Sequence, residues 1–270
     1  LGSAVDKFES DFARVAGTSH AIGLGSGTDA LFLSLKAFGV KDGDEVITTP
    51  FTFFATVGAI VTAGAVPVFV DCGEDLNINH DLIEEKITSK TKAILPVHWS
   101  GRPCEMDTIN AIASKYSIPV IEDACHAIKA SYKGRPAGSL GDTACFSFHP
   151  LKNLNVWGDG GIATTHNNEI AEKLRLIRNH GLIDRDTCVQ FSYNSRLDTI
   201  QAVVAQYLPD NKINNITKSR INNALFLDSG LSDIPELVLP KRLEHLQEVF
   251  HLYMFKAKNR DSLKDFLNSH

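Results

Sequence analysis

Phe146-Ser147-Phe148-His149-Pro150-Leu151-Lys152-Asn153, followed by Gly158-Asp159-Gly160-Gly161, is the stretch on which the fold is decided. Upstream of it, Val120-Ile121-Glu122-Asp123-Ala124-Cys125-His126 reads as a buried strand that ends in an acid and an imidazole. Short apolar runs of this kind, separated by helical segments, belong to parallel sheets covered on both faces. Thr143–Ser147 is the next strand, so Lys152 lies in a glycine-flanked loop just beyond it. A carboxylate at one strand end and a lysine past the next form a pair able to hold a group and move protons. An isolated aspartate or lysine carries no such meaning, because most lysines are solvated surface charges.

Working outward, strands and helices alternate along the chain. Residues 4–16 form a helix, with Val5, Phe8, Phe12 and Val15 at helical spacing. Strands are predicted at 20–24, 45–48, 67–70, 93–97, 119–121, 143–147 and 161–165. Helices are predicted at 29–38, 52–63, 80–87, 106–116 and 169–179. A helix over 200–208 is ended or bent by Pro209. After Asp198 the alternation fades, and Lys212–Ser229 is polar with helical spacing. Leu237–Pro240 and Val249–Phe255 are candidate strands, and Arg260–Asn268 a final helix. This pattern predicts an α/β architecture: a mostly parallel seven-stranded sheet between helices over residues 1–208, and part of a smaller C-terminal α+β domain over 209–270.

Composition narrows the function. The chain has 270 residues, 43% hydrophobic and 22% charged, and a net charge of −5. These are globular values. There is no basic run to meet a nucleic acid and no apolar run long enough to span a bilayer. The five cysteines, Cys72, Cys104, Cys125, Cys145 and Cys188, include no Cys-x-x-Cys pair. They read as reduced thiols of a cytoplasmic protein rather than as a zinc site or disulfide framework.

Gly25-Ser26-Gly27-Thr28 falls between a strand and a helix, where backbone amides and the helix N-terminus favour an anion. An ordinary capped turn is the alternative. A dinucleotide-binding Gly-x-Gly-x-x-Gly fingerprint is not met, because Gly23, Gly25 and Gly27 are followed by Thr28-Asp29-Ala30.

Taken in order, these words resemble the DegT/DnrJ/EryC1/StrS family of sugar aminotransferases. The likeness includes Phe8-Glu9, Gly25–Leu31, Gly43–Ile47, Thr52–Thr56, Pro67–Asp71, the two opening segments, Arg178–Gly181, Tyr193–Asp198 and His251-Leu252-Tyr253. It spans nearly the whole chain. Members normally run further at both ends, so the chain is expected to be part of a longer one.

The resemblance implies aminotransferase fold type I and the cofactor pyridoxal 5′-phosphate (PLP). It makes Lys152 the Schiff-base lysine and Asp123 the partner of the pyridine nitrogen. Gly27, Thr28 and Asp29 would give amides to the phosphate, and Ser147 a hydroxyl. Phe53 would stack on the cofactor ring, with Phe54 as the core residue of the pair. His126 would lie beside the phenolic oxygen or else be a more distant polar residue. Asn194 would reach the phosphate of a neighbouring subunit, making a homodimer with a shared site. His180 and Arg196 are candidates for the substrate side. No metal is implied.

The implied reaction moves an amino group from glutamate to a nucleotide-linked keto-sugar. A dehydratase branch has histidine where Lys152 stands, so lysine favours transamination. A sugar dehydratase, a cyclitol aminotransferase and a non-catalytic PLP-binding regulator are the alternatives. One departure from the family pattern is Ile128-Lys129-Ala130, with Lys129 where glycine is usual.

Overall fold

A computed structural model describes residues 2–207 and 211–270. The chain opens with α1 (Ser3–Ala16), β1 (His20–Leu24), α2 (Gly27–Ala37), β2 (Glu45–Thr48), α3 (Phe54–Thr62) and β3 (Val66–Phe69). Two short 3-10 turns lead to β4 (Thr91–Ile94), α4 (Met106–Tyr116) and β5 (Ile121–Asp123). A small hairpin, β6 (Ser131–Tyr132) and β7 (Arg135–Pro136), precedes β8 (Thr143–Ser147), β9 (Gly161–Thr165), α5 (Asn168–Ile177) and α6 (Thr199–Tyr207). The remainder comprises α7 (Asn211–Leu231), β10 (Leu237–Val238), β11 (Leu246–Gln247), β12 (Lys256–Ala257) and α8 (Arg260–Ser269).

Seven strands form one layer in the order β1-β9-β8-β5-β4-β2-β3. The ladders β1-β9-β8-β5 and β3-β2-β4 are joined by parallel bridges from Ile94 to Val120 and from Val97 to Asp123. Within this layer β9 alone runs antiparallel to its neighbours. The expected mostly parallel sheet is therefore present. Successive residues of β8 point to opposite faces, as strand geometry requires. Phe146 enters the apolar layer under α1 and α4, and Cys145 the layer under α2, α3 and α5.

Four rings, Phe8, Phe12, Phe146 and Phe148, pack edge to face or tilted with centroids 5.1–5.8 Å apart. Such pairs add about 0.5–1.5 kcal/mol each beyond burial. They fix α1 to the strand that carries the Lys152 loop. A buried ion pair between Glu9 and Arg178 adds a polar tie. Glu9 Oε1 also accepts from the Gly23 N–H (2.7 Å), and Arg178 donates to the Gly23 carbonyl (2.8 Å).

Three expectations are corrected. The segment 80–87 is not one helix but two 3-10 turns, His80–Leu82 and Glu84–Lys86. In it Ile83 alone is buried, too narrow an apolar stripe for a packed helix. Val249–Phe255 is not a strand. Its backbone bonds instead to a loop and to Arg220, as described below. Helix α2 begins at Gly27 rather than Asp29, because Ser26 caps it: its Oγ accepts from the Asp29 N–H at 3.0 Å. Hairpin β6–β7 and its partner β11 were too short to show in the periodicity. The domain boundary expected near Pro209 lies outside the described residues.

A charge network ties the C-terminal segment to the sheet. Arg102 bonds Glu248 (3.0 Å), Glu248 bonds Arg242 (3.0 Å), and Arg242 holds both oxygens of Asp228 (2.9 and 3.0 Å). Burial pushes the Glu248 carboxyl up, while the Arg242 hydrogen bond holds Asp228 below the usual carboxylate range. Arg242 also lies over the Phe250 ring, 4.8 Å from its centroid.

Candidate active site

The parallel strands deliver their C-terminal ends to one crevice, where open α/β sheets bind ligands. A cavity of about 310 Å³ opens there. Gly27 and Thr28 from the start of α2, Phe53 before α3, Asp123 from β5, His126 beyond it, Ser147 from β8 and Lys152 all line it. These residues come from four separate stretches of sequence, and the fold brings them together.

The floor depends on small residues. A Cβ at Gly27 would sit 2.6 Å from Ser147 Cβ, and one at Gly161 2.2 Å from the Ser26 carbonyl oxygen. Only hydrogen at these positions lets the N-terminus of α2 lie against the ends of β8 and β9. The helix N-terminus then presents positive charge to the cavity. The Asp29 N–H is not free for a ligand, contrary to expectation, because the cap at Ser26 takes it.

Asp123 is buried, and both oxygens are held. Oδ2 accepts from Thr56 Oγ1 (2.7 Å) and Oδ1 from the Cys125 N–H (3.2 Å). Its strand-mate Glu122 faces the other way and is also fully buried. Glu122 accepts from the backbone N–H of Gly138 (3.0 Å), Leu140 (2.8 Å) and Gly141 (2.8 Å), and from His98 Nε2 (2.9 Å). The Cys104 N–H donates to His98 Nδ1, which places the His98 proton on Nε2.

His126 is 9% exposed, and its Nδ1 has no hydrogen-bond partner among the described residues. Burial, then the Lys152 charge, holds it down to about 2. Burial and the same charge hold His251 down to about 4. Both rings are neutral near pH 7. Burial, then the Asp123 carboxylate, pushes the Cys125 thiol well up, so it is not a poised nucleophile.

Phe53 lines the cavity and is 60% exposed. Phe54 is not a core residue. It is 88% exposed, because the first turn of α3 points it away from the sheet. Asn194, His180 and Arg196 are exposed and lie outside the cavity of this chain. Arg196 donates to Asn179 (3.0 Å), and the His180 N–H donates to the Tyr193 carbonyl (2.7 Å). Sequence reasoning gave no role to Thr56, Trp99, Asp159 or His251, which also line the cavity. Thr56 and His251 lay inside words already noticed, whereas nothing local marked Trp99 as a site residue.

A strand-end carboxylate, a loop lysine and an open helix N-terminus around one cavity define a group-transfer enzyme of the α/β aminotransferase class. The chain belongs to the DegT/DnrJ/EryC1/StrS aminotransferase family, whose profile matches residues 1–270. It is 44% identical to the pleiotropic regulatory protein of Geobacillus stearothermophilus, over 99% of this chain and 72% of the relative. It is 40% identical to the UDP-N-acetyl-3-dehydro-alpha-D-glucosamine 3-aminotransferase of Acidithiobacillus ferrooxidans, over 100% of this chain and 73% of that protein. Among solved structures, S. venezuelae DesV in complex with a ketimine intermediate superimposes with a TM-score of 0.96. The two are 38% identical, and the match covers 100% of this chain and 72% of the other.

Proposed function

We propose that this chain is a PLP-dependent aminotransferase that moves an amino group from glutamate to a nucleotide-linked keto-sugar. One observation carries the reading. Lys152, the Asp123 carboxylate, a His126 nitrogen with no partner among the described residues, and the open start of α2 line a single cavity. That donor set fits PLP: a positive helix end for the phosphate, a fixed carboxylate for the ring nitrogen, an amine for the aldehyde and a neutral imidazole for the phenolic oxygen.

When bound, PLP supplies an electron sink that stabilises negative charge on the carbon bearing the amino group. The protein does the rest. Asp123, held on both oxygens, keeps its partner nitrogen protonated. The backbone at Gly27 and Thr28, with the Thr28 and Ser147 hydroxyls, anchors the phosphate. Phe53 covers one face of the ring. The Lys152 amine would hold the aldehyde of PLP and, once displaced by an amino donor, would carry the proton taken from the donor's α-carbon. His180 and Arg196, exposed and outside this chain's own cavity, would reach a substrate only across the dimer, as Asn194 would.

The protein works as a homodimer with a shared site. Asn194 lies outside this chain's own cavity and is exposed, as a residue that reaches a second subunit must be. Exposed Phe53 and Leu151, which line the cavity, and exposed Phe54 beside Phe53 give an apolar face suited to a partner copy. Residues 1–208 form the large domain and 209–270 part of the small one. Among the described residues no helix is long and apolar enough to cross a membrane. Five free cysteines accord with a cytoplasmic location.

A regulator that binds PLP without turnover is the second reading, favoured by the name of the 44% identical Geobacillus relative. The absorption spectrum with PLP, before and after glutamate, separates the two. Bleaching of the visible band is expected. A yellow protein indifferent to glutamate and other amino donors would favour the regulator.

A further inference from the structure

The segment Val249–Leu252 is an irregular strap that enters the cavity from the C-terminal part of the chain, and it is built with unusual care. The Val249 N–H donates to the Gly101 carbonyl (3.0 Å) and the Leu252 N–H to the Ser100 carbonyl (3.4 Å). Asn153 Nδ2, next to Lys152, donates to the Val249 carbonyl (3.3 Å). From α7, Arg220 Nη1 donates to the carbonyls of Phe250 (2.9 Å) and His251 (3.3 Å). Gly101 adopts φ +96°, and a Cβ there would meet Val249 Cγ2 at 2.7 Å and the His126 carbonyl at 2.9 Å. Phe250 holds φ +47°, a conformation that L-residues adopt at a cost.

All of these contacts place one side chain. The His251 ring lies on the His126 ring, with centroids 4.2 Å apart and planes 35° apart. Trp99 contacts His126 on 5.0 Å centroids at 45°. His126 is thus gripped by two aromatic rings while its buried Nδ1 has no partner among the described residues. Among the described residues its side chain is held by ring contact rather than by a hydrogen bond at Nδ1.

Building on the PLP reading above, we propose that His251 is a positioning residue. Its ring fixes the His126 imidazole in the orientation that meets the cofactor beside Lys152, so that the C-terminal strap completes the cofactor site. The role belongs to the ring face of His251 and not to hydrogen bonding by its nitrogens. An aromatic contact of this kind contributes enough to change an affinity about three- to tenfold.

The test titrates PLP into apoprotein, followed by tryptophan fluorescence and by the visible band of the bound cofactor. Wild type and Lys152→Ala come first. A wild-type band that Lys152→Ala abolishes upholds the PLP reading independently of this inference. His251→Ala is then expected to weaken PLP binding about three- to tenfold and to displace the band. His251→Phe is expected to restore both, and His251→Gln neither. Wild-type affinity and band in His251→Ala would overturn the proposal. So would rescue by Gln but not Phe, which would assign hydrogen bonding instead. Should His251→Ala fail to fold, His251→Leu fills the space without an aromatic ring and takes its place.

Discussion

Two polar clusters lie on opposite faces of β5, built from adjacent acids, and they differ in one respect. Behind the strand, Glu122 accepts four hydrogen bonds, and His98 has both ring nitrogens engaged. In front, Asp123 is held in place, but His126 beside it has a buried nitrogen without a partner among the described residues, and Lys152 faces a cavity. Buried polar groups are normally satisfied. A saturated cluster pins loops together, whereas a partly satisfied one beside a cavity is a place for a ligand. The adjacent acids have different roles because strand side chains alternate between faces.

The sharpest way to break this contrast is Lys152→Ala. Removing the amine should lower amino transfer at least ~10³-fold while the fold persists. Circular dichroism and product analysis check this, and substantial turnover would sink the assignment. Asp123→Asn should follow, with a loss of about 10²–10³-fold in turnover and little change in urea midpoint. The opposite profile is expected for Glu122→Ala. It strands His98 and three backbone N–H groups, at about 3–5 kcal/mol of stability. An unfolding free energy from urea denaturation within about 1 kcal/mol of wild type would show that the rear cluster is no structural pin.

Protons offer a finer probe. His126 is neutral in the fold down to about 2, but an unfolded histidine takes a proton near 6.5. Below 6.5 the unfolded state binds more protons, so apoprotein stability falls as pH is lowered. His126 contributes roughly 1 kcal/mol per pH unit in that window. His126→Gln should make the slope shallower between pH 6.5 and 5. An unchanged slope would mean that His126 is already charged or exposed in solution.

The smallest effect concerns the departure at Lys129. It adopts φ +68°, in the left-handed region that favours glycine. Lys129→Gly should raise the melting temperature by about 1–3 °C, leaving PLP affinity unchanged. A fall would show that the lysine side chain offsets its backbone cost.

Much of this molecule could be read from the chain alone. Alternating apolar runs set the seven strands. Strand ends and glycine-flanked turns drew notice to Asp123, Lys152 and the Gly27-Thr28 turn, while their expected roles, and that of Ser147, came from the family resemblance. Local pattern could not assign Phe54, since an apolar residue at a helix start looks the same whether its face is covered or open. Nor could it choose between the roles of Glu122 and Asp123, which depend on what packs on each face of the sheet. The meeting of Trp99, His126 and His251 was beyond it as well. That contact joins residues far apart in sequence through an irregular strap, and irregular backbone carries no period from which its destination can be read.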